Sequence, residues 1–384
     1  MIDSLPSWVP TAEDAWSARL RDLLADGVIP GIDALGAHLA TLDQQRTARG
    51  AVKKAWEKTT AKLMGSDTRP FVFDMVLALT GEPLSHDTSN WRDMGLTAAG
   101  SRSLAKAFVL ASGYSGEGSF AAHLEHLARY AAALRGMGAR YRDDAIAEVA
   151  FRALETLGTE EAFAALCHLR RDIDYVILRE HVEPHLLAVA TALGVPDVVR
   201  EERSVPAHAL NAQGVAIFGG EDATVYGNSG LRADLEVDRN MLVGLTWYDA
   251  DGLPDYTTYP FPSPRGHKRV FRPENIEGVQ RFAKRVHAEV AAQRARLRDI
   301  PAGRTWDFAE WAEHYRDHHL VGVLTASLIW EHRHGEDWTA ALAAEVPDTA
   351  EEIRLWTDGK PGEAEALRER LGSGRRQAFA QLPG

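Results

Sequence analysis

The sequence predicts a mainly α-helical fold. Its outline is a HEAT-like α-solenoid of paired helices, a small antiparallel β insert, and a C-terminal helical subdomain. Three observations carry this expectation. Over the first two hundred residues apolar side chains recur three or four apart, the period of a helix with one buried face. The periodic runs end at glycines and restart after very short links, which forces antiparallel neighbours. After residue 205 the period drops to two, before helical spacing returns near residue 274. The expected domains are therefore 1–204 (helical repeat), 205–264 (β segment) and 265–384 (helical subdomain with a frayed tail).

Taken in order, "TAEDAWSARLRDLLADG" places Trp16, Leu20, Leu23 and Leu24 on one face, with Thr11 expected to cap the start and Gly27 at the stop. Similar units are expected near 32–48, 51–64 and 69–80, the last bracketed by Pro70 and Gly81. "SFAAHLEHLARYAAALRG" opens on Ser119 and closes at Gly136. "RDDAIAEVAFRALETLG" ends at Gly158, and "TEEAFAALCHLRRDI" starts at once on Thr159 with two glutamates against the helix dipole. "YVILREHVEPHLLAVATALG" ends at Gly194, and Pro196 forbids continuation. Successive antiparallel pairs suit a solenoid, with a compact helical bundle as the competing arrangement.

In "LRADLEV", Leu231, Ala233, Leu235 and Val237 alternate with charged residues, the mark of a half-buried strand. Two β-rich runs flank "DADG", a hairpin signal. Short strands are also expected at 215–218 and 223–226. Ile276, Val279, Phe282, Val286, Val290 and Leu297 then lay down a long helix, and "LVGVLTASLIW" reads as a buried one.

Composition narrows the function classes. The chain has 384 residues, 45% hydrophobic and 26% charged, with a net charge of −12. That balance argues against wholesale binding to nucleic acid or anionic membrane. One cysteine, Cys167, forms no internal disulfide. The N-terminus lacks the pattern of a signal peptide, and no apolar run approaches the roughly 20 residues that span a bilayer. A cytoplasmic protein without a cofactor is the expectation.

The order of motifs from about 140 onward carries a resemblance. Gln293, Arg294, Arg296 and Leu297 lie on one helix, Trp306 and Phe308 follow, and then come Leu328, Ile329 and Trp330. This succession resembles the bacterial domain-of-unknown-function family 4132, related to proteins labelled molybdate-metabolism regulators. The resemblance implies a degenerate helical-repeat region, a short β segment and late helices, and it brings no catalytic residues. The chain departs from the pattern at His318–His319 and at Trp356–Thr357–Asp358, where the family has His-Pro pairs. It ends three residues after Gln381, in a motif that also holds Gln377 and Phe379, so activity residing in the family's further C-terminal portion is expected to be absent.

Several stretches invite a chemical reading. In "REHVEPHLL", His181 and His185 share a helix face, but a third zinc ligand is not fixed by spacing, so no metal is expected there. His314, His318, His319, His332 and His334 form the densest histidine cluster. With Glu310 and Asp317, His314 and His318 are the candidate catalytic groups. Helix-end histidines that hydrogen-bond carbonyls are the plainer explanation. Cys167 sits on an apolar face, as a buried inert thiol does. Residues 265–304 hold eleven Lys or Arg against four Asp or Glu. Within them Arg281, Lys284, Arg285, Arg294 and Arg298, with Trp306 beyond, are the candidate binding residues. Such a stripe meets phosphate or acidic partners when it is uncommitted.

The expected function is a non-enzymatic scaffold that binds a protein or peptide partner. The alternative is an enzyme or enzyme remnant with a pocket between the β segment and the late helices. Nucleic-acid or nucleotide association through 265–304 is the weaker third reading.

Overall fold

Among the described residues, ten helices of the first unit bury their apolar faces on one another. The structure, a computed structural model, describes residues 5–47, 51–80, 96, 99–135, 140–141, 143–173, 176–219, 232–248, 252–263, 273–301 and 303–356. Contacts divide the chain into two units, Met1–Val205 and Pro206–Gly384. The fold is mainly α with two small four-stranded antiparallel sheets.

In the first unit the helices are α1 (Ala15–Ala25), α2 (Ile32–Leu39), α3 (Lys54–Leu63), α4 (Arg69–Leu77), α5 (Ala99–Ser112), α6 (Phe120–Ala132), α7 (Asp144–Leu157), α8 (Glu160–Asp172), α9 (Val176–Leu193) and α10 (Asp197–Arg203). Every helix from α4 to α8 touches the one two places further on, and α6 to α9 also touch their sequence neighbours. One continuous hydrophobic cluster runs from Trp8 to Ala190.

Helix ends follow local chemistry. Gly158 closes α7 with a left-handed φ of 63°, and its N–H donates to the Leu154 carbonyl. Thr159 then accepts from the Ala162 N–H at 3.3 Å to open α8. The cap of α1 is Asp14 and not Thr11; its carboxylate accepts from the Ser17 N–H at 2.7 Å and from the Ser101 hydroxyl of α5 at 2.6 Å. Three residues further along the chain than Thr11, Asp14 reaches both groups while buried. Ser119 makes no side-chain cap, because its own backbone is already helical. Helix α6 stops at Ala132, and β1 (Leu134–Arg135) pairs with β2 (Arg140–Tyr141). Gly136 and Gly81 lie outside the described residues. Pro184 falls inside α9. Cys167 is buried on α8, and burial pushes its thiol up to about 12.

The second unit opens with a meander, β3 (Val215–Phe218), β4 (Arg232–Val237), β5 (Val243–Tyr248) and β6 (Pro254–Thr258), paired in that order. The alternation in β4 buries Ala233, Leu235 and Val237. Their face packs with α11 (Pro273–Arg298), which touches β5 and sets Phe282 edge-on to Phe218 at 5.2 Å. The possible strand at 223–226 lies outside the described residues.

Beyond α11 the chain differs from expectation. "LVGVLTASLIW" is helical only over α13 (Val321–Thr325), and Ile329 already begins a strand. A second sheet forms from β7 (Thr305–Asp307), β8 (Ile329–His334), β9 (Asp337–Leu342) and β10 (Glu352–Leu355), in the order β7-β10-β8-β9. An unbroken apolar run does not distinguish helix from buried strand by period. The signal that decides it is the two-residue turn Gly335–Glu336, where φ is +66° at glycine and His334 pairs with Asp337. Between β7 and β8 lie α12 (Phe308–Trp311), a π-turn at Ala312–Arg316, and α13. Their core is aromatic: Trp330 lies edge-on to Trp311 at 5.4 Å and to Tyr315 at 5.3 Å, and Trp306 meets Tyr315 at 5.0 Å. No described helix is long and apolar enough to cross a membrane.

Asp14→Ala removes a cap and leaves the buried Ser101 hydroxyl without its acceptor, so it should cost about 2 kcal/mol in urea unfolding. Ser101→Ala should cost less, and the double variant should cost less than the sum of the two. Burial pushes the Glu125 carboxyl up, but hydrogen bonds with His168 and Arg129 outweigh it and hold it below the usual glutamate value of 4.5. A carboxyl depressed in the folded chain stabilises it above the unfolded value and loses that contribution as pH falls through the folded one. Glu125→Gln should therefore lower the urea midpoint at neutral pH, with the gap from the parent closing as pH drops below about 4.

Candidate functional site

A cleft of about 780 Å³ opens in the second unit. Three segments wall it: Ala212–Gln213 before β3, Glu236–Asn240 at the end of β4 and its turn, and the stretch from Arg316 through His319 to Ala326 on α13. Its size is that of a small-molecule pocket.

Local chemistry holds each wall. Asp238 folds the β4–β5 turn by accepting from the Asn240 N–H at 2.9 Å and the Leu242 N–H at 2.8 Å. Gly214, at φ +78°, lets the first wall approach the others; a Cβ there would stand 2.8 Å from Val323 Cγ2 and 3.0 Å from the Val237 carbonyl oxygen. The third wall is set by the π-turn, whose extra residue turns Tyr315 inward and delivers Arg316 to His319 to the cleft. A half-buried polar chain fixes that turn. Gln293 donates to Glu289 at 2.8 Å, and Arg296 donates to Gln293 at 2.6 Å and to the Tyr315 hydroxyl at 3.1 Å. The Thr325 hydroxyl donates to the Tyr315 carbonyl at 3.1 Å.

The cleft's charges are largely committed within the protein. Arg316 grips Asp317 through two bonds of 2.8 and 2.9 Å and reaches Asp348 at 3.1 Å. Asp317 is the main reason its guanidinium is held even more firmly protonated than usual. His318, 6% exposed, accepts from the Leu320 and Val321 N–H groups through Nδ1 at 3.1 Å each. Those bonds place the ring proton on Nε2.

The candidate catalytic residues are therefore split. Asp317 and His318 line the cleft, while His314 is buried on the π-turn. Glu310 belongs to the first turn of α12, where its N–H donates to the Asp307 cap at 2.8 Å. His332 and His334 sit on β8. Of the candidate binding residues, Trp306 is 2% exposed in the aromatic core, with Arg304 over its ring at 5.0 Å. Arg281 is exposed and pairs with Glu277 of its own helix at 3.5 Å. Lys284 and Arg298 are exposed, and Arg285 and Arg294 are half-buried, with Arg285 5.7 Å from the Phe282 ring centre. Lys268, Arg269 and Arg272 lie outside the described residues.

His181 and His185 face α7, where they pair with Glu148 and Glu155; Glu183 between them binds Arg170 and Arg200 on the other side. Among the described residues no group of three His, Cys, Asp or Glu side chains is placed to hold a metal ion. The sequence marks Gln293 and Arg296 only as part of the family resemblance and does not join them to Glu289 and Tyr315; it also passes over Glu236 and Arg239. The spacing of 289, 293 and 296, four and then three residues along one helix face, is the signal that could have found that chain.

Fold and cleft together define a mainly α-helical chain whose second unit holds two small sheets and a polar pocket. Within it, residues 265–382 match the family model described as Domain of unknown function (DUF4132). The match takes in α11, the aromatic core and the π-turn wall of the cleft; the β4 wall precedes it. No curated protein and no solved structure shows significant similarity to the chain.

Gly322 tests the geometry of the third wall. A Cβ there would lie 2.5 Å from the Arg316 carbonyl oxygen. Gly322→Ala should destabilise the protein by roughly 1–3 kcal/mol, read as a fall in Tm.

Proposed function

We propose that the chain is a non-enzymatic scaffold whose first unit is a HEAT-like solenoid that binds a protein or peptide partner. The observation that supports this most is the contact order from α4 to α10. Each helix meets the one two places on, as two stacked layers require, with even-numbered helices in one and odd-numbered in the other. Such stacks present extended surfaces, and Ile177 and Leu187 on α9 stand 51% and 46% exposed. A cytoplasmic, regulatory role in a bacterium agrees with the resemblance to molybdate-metabolism-regulator-like proteins.

The test is recovery of partners from the native host on tagged full-length protein, compared with an Ile177→Asp, Leu187→Asp double variant of unchanged Tm. One partner should be enriched reproducibly on the parent and lost at least about tenfold on the variant. Repeated failure to enrich any protein would count against the scaffold.

A second reading is supported by the cleft. Its position, between the β4–β5 turn and the late helices, suits ligand binding in the second unit. With Asp317 and Asp238 tied to neighbours, the site is better equipped to hold a molecule than to transfer protons.

A further inference from the structure

We infer that two copies of the chain associate through β6. The two strands pair antiparallel about Tyr256 and join their four-stranded meanders into one continuous sheet. The inference stands apart from both readings of function.

The backbone groups that β6 presents follow from the alternation of an antiparallel ladder. At the β4–β5 turn the Asp238 N–H donates to the Leu242 carbonyl at 2.9 Å, so these two residues are a bonded pair. Stepping back by twos, Glu236–Gly244 and Asp234–Thr246 are bonded pairs as well, and Leu245 between them turns its N–H and C=O toward β6. The Thr257 hydroxyl reaches that Leu245 carbonyl at 3.2 Å. Thr257, opposite Leu245, therefore engages β5, while Pro254, Tyr256 and Thr258 turn their backbone groups outward. No described strand lies on that side, since β6 ends the sheet. The other edge is closed by its own chain: Val215 of β3 donates to Asn211 Oδ1 at 3.0 Å and accepts from the Asn211 N–H at 2.9 Å.

A second β6 meets the open groups one for one. A two-fold axis at Tyr256 sets that residue against its own copy and Pro254 against the copy's Thr258. Each Tyr256 N–H then donates to the opposite Tyr256 carbonyl, and each Thr258 N–H to the opposite Pro254 carbonyl. Pro254 has no N–H to return. The Thr258 carbonyl needs none, because it already accepts from the Phe261 N–H at 2.7 Å. An unrelated strand in that place would leave a carbonyl opposite Pro254 and an N–H opposite the Thr258 carbonyl without partners. The side chains agree. Leu253, Tyr256 and Tyr259 are 63%, 60% and 57% exposed and evenly spaced about Tyr256, so Leu253 meets the copy's Tyr259 and the two Tyr256 rings meet each other. Gly244 fixes the Tyr256 ring, which occupies the space a Cβ would take. Asp255 is the one charge between 252 and 263, and it falls opposite Thr257; no lysine guards this edge. Centring the pair on Asp255 would oppose like charges, and centring it on Thr257 would aim the Tyr256 N–H at the occupied Thr258 carbonyl.

The experiment is sedimentation velocity of the full chain from about 1 to 300 µM, where a reversible shift from monomer to dimer is expected. Tyr256→Pro deletes an outward N–H and leaves the β5 ladder alone, so it should weaken dimerisation at least about tenfold at unchanged Tm. Should that variant not fold, Tyr256→Lys, which puts a charge on the edge, should do the same. Mild oxidation reads the register, and with Cys167 buried an engineered thiol reports alone. Bonded partners stand about 5.5 Å apart at Cα, within disulfide reach. Tyr256→Cys should be trapped as a covalent dimer well ahead of Asp255→Cys and Thr257→Cys. Fastest trapping at 255 or 257 would overturn the pairing about Tyr256. A dimer that survives in the folded Tyr256 variants would overturn the use of β6. A monomer at every concentration would overturn the inference and leave the edge to a strand of another protein.

Discussion

The first unit depends on how closely other helices approach α7. That helix touches α5, α6, α8 and α9, and it is buried on almost every side. Alanine makes this possible. Ala147, Ala150 and Ala153 are fully buried, and they bring neighbouring backbones near enough for their larger residues to interlock around Phe151 and Leu154. The tightest point is Gly113, where a Cβ would come within 2.6 Å of the Ala153 carbonyl oxygen. Charged side chains then tie the margins. Arg152 pairs with Glu57 of α3, while Glu148 and Glu155 pair with His181 and His185 of α9. Exposed pairs of this kind add little energy each, so they orient α9 on a surface that apolar burial already holds.

The second unit is organised differently. Its sheets are small, and each needs a cover: α11 for the meander, and the Trp306–Trp311–Tyr315–Trp330 cluster beside the later strands. Arg296 joins the two, since it rises from α11 and ends on the Tyr315 hydroxyl. The position of the π-turn, and through it one wall of the cleft, therefore depends on a hydrogen-bonded chain that starts on α11.

The features legible in the sequence were those with local causes. Gly158 and Thr159 mark a helix end and the next start by their own chemistry. The alternation in β4 reports one wet face and one dry one. What stayed hidden depended on distant residues. The apolar run at 320–330 reads alike as helix or strand until β9 and β10 pair with it. Trp306 has the same letter whether it meets a ligand or the rings of Tyr315 and Trp330, and only packing put it in the core. The cleft joins segments a hundred residues apart, which no local pattern can show.

Burial of the sole thiol has a practical consequence. Nucleophilic sulfur is the deprotonated form, and a group held near 12 supplies it at neutral pH in only about one molecule per 10⁵. Oxidants and alkylating reagents therefore reach Cys167 through excursions that expose α8, and hardly at all in the closed state. The speed with which such a reagent consumes it is a built-in clock for the breathing of the helical stack.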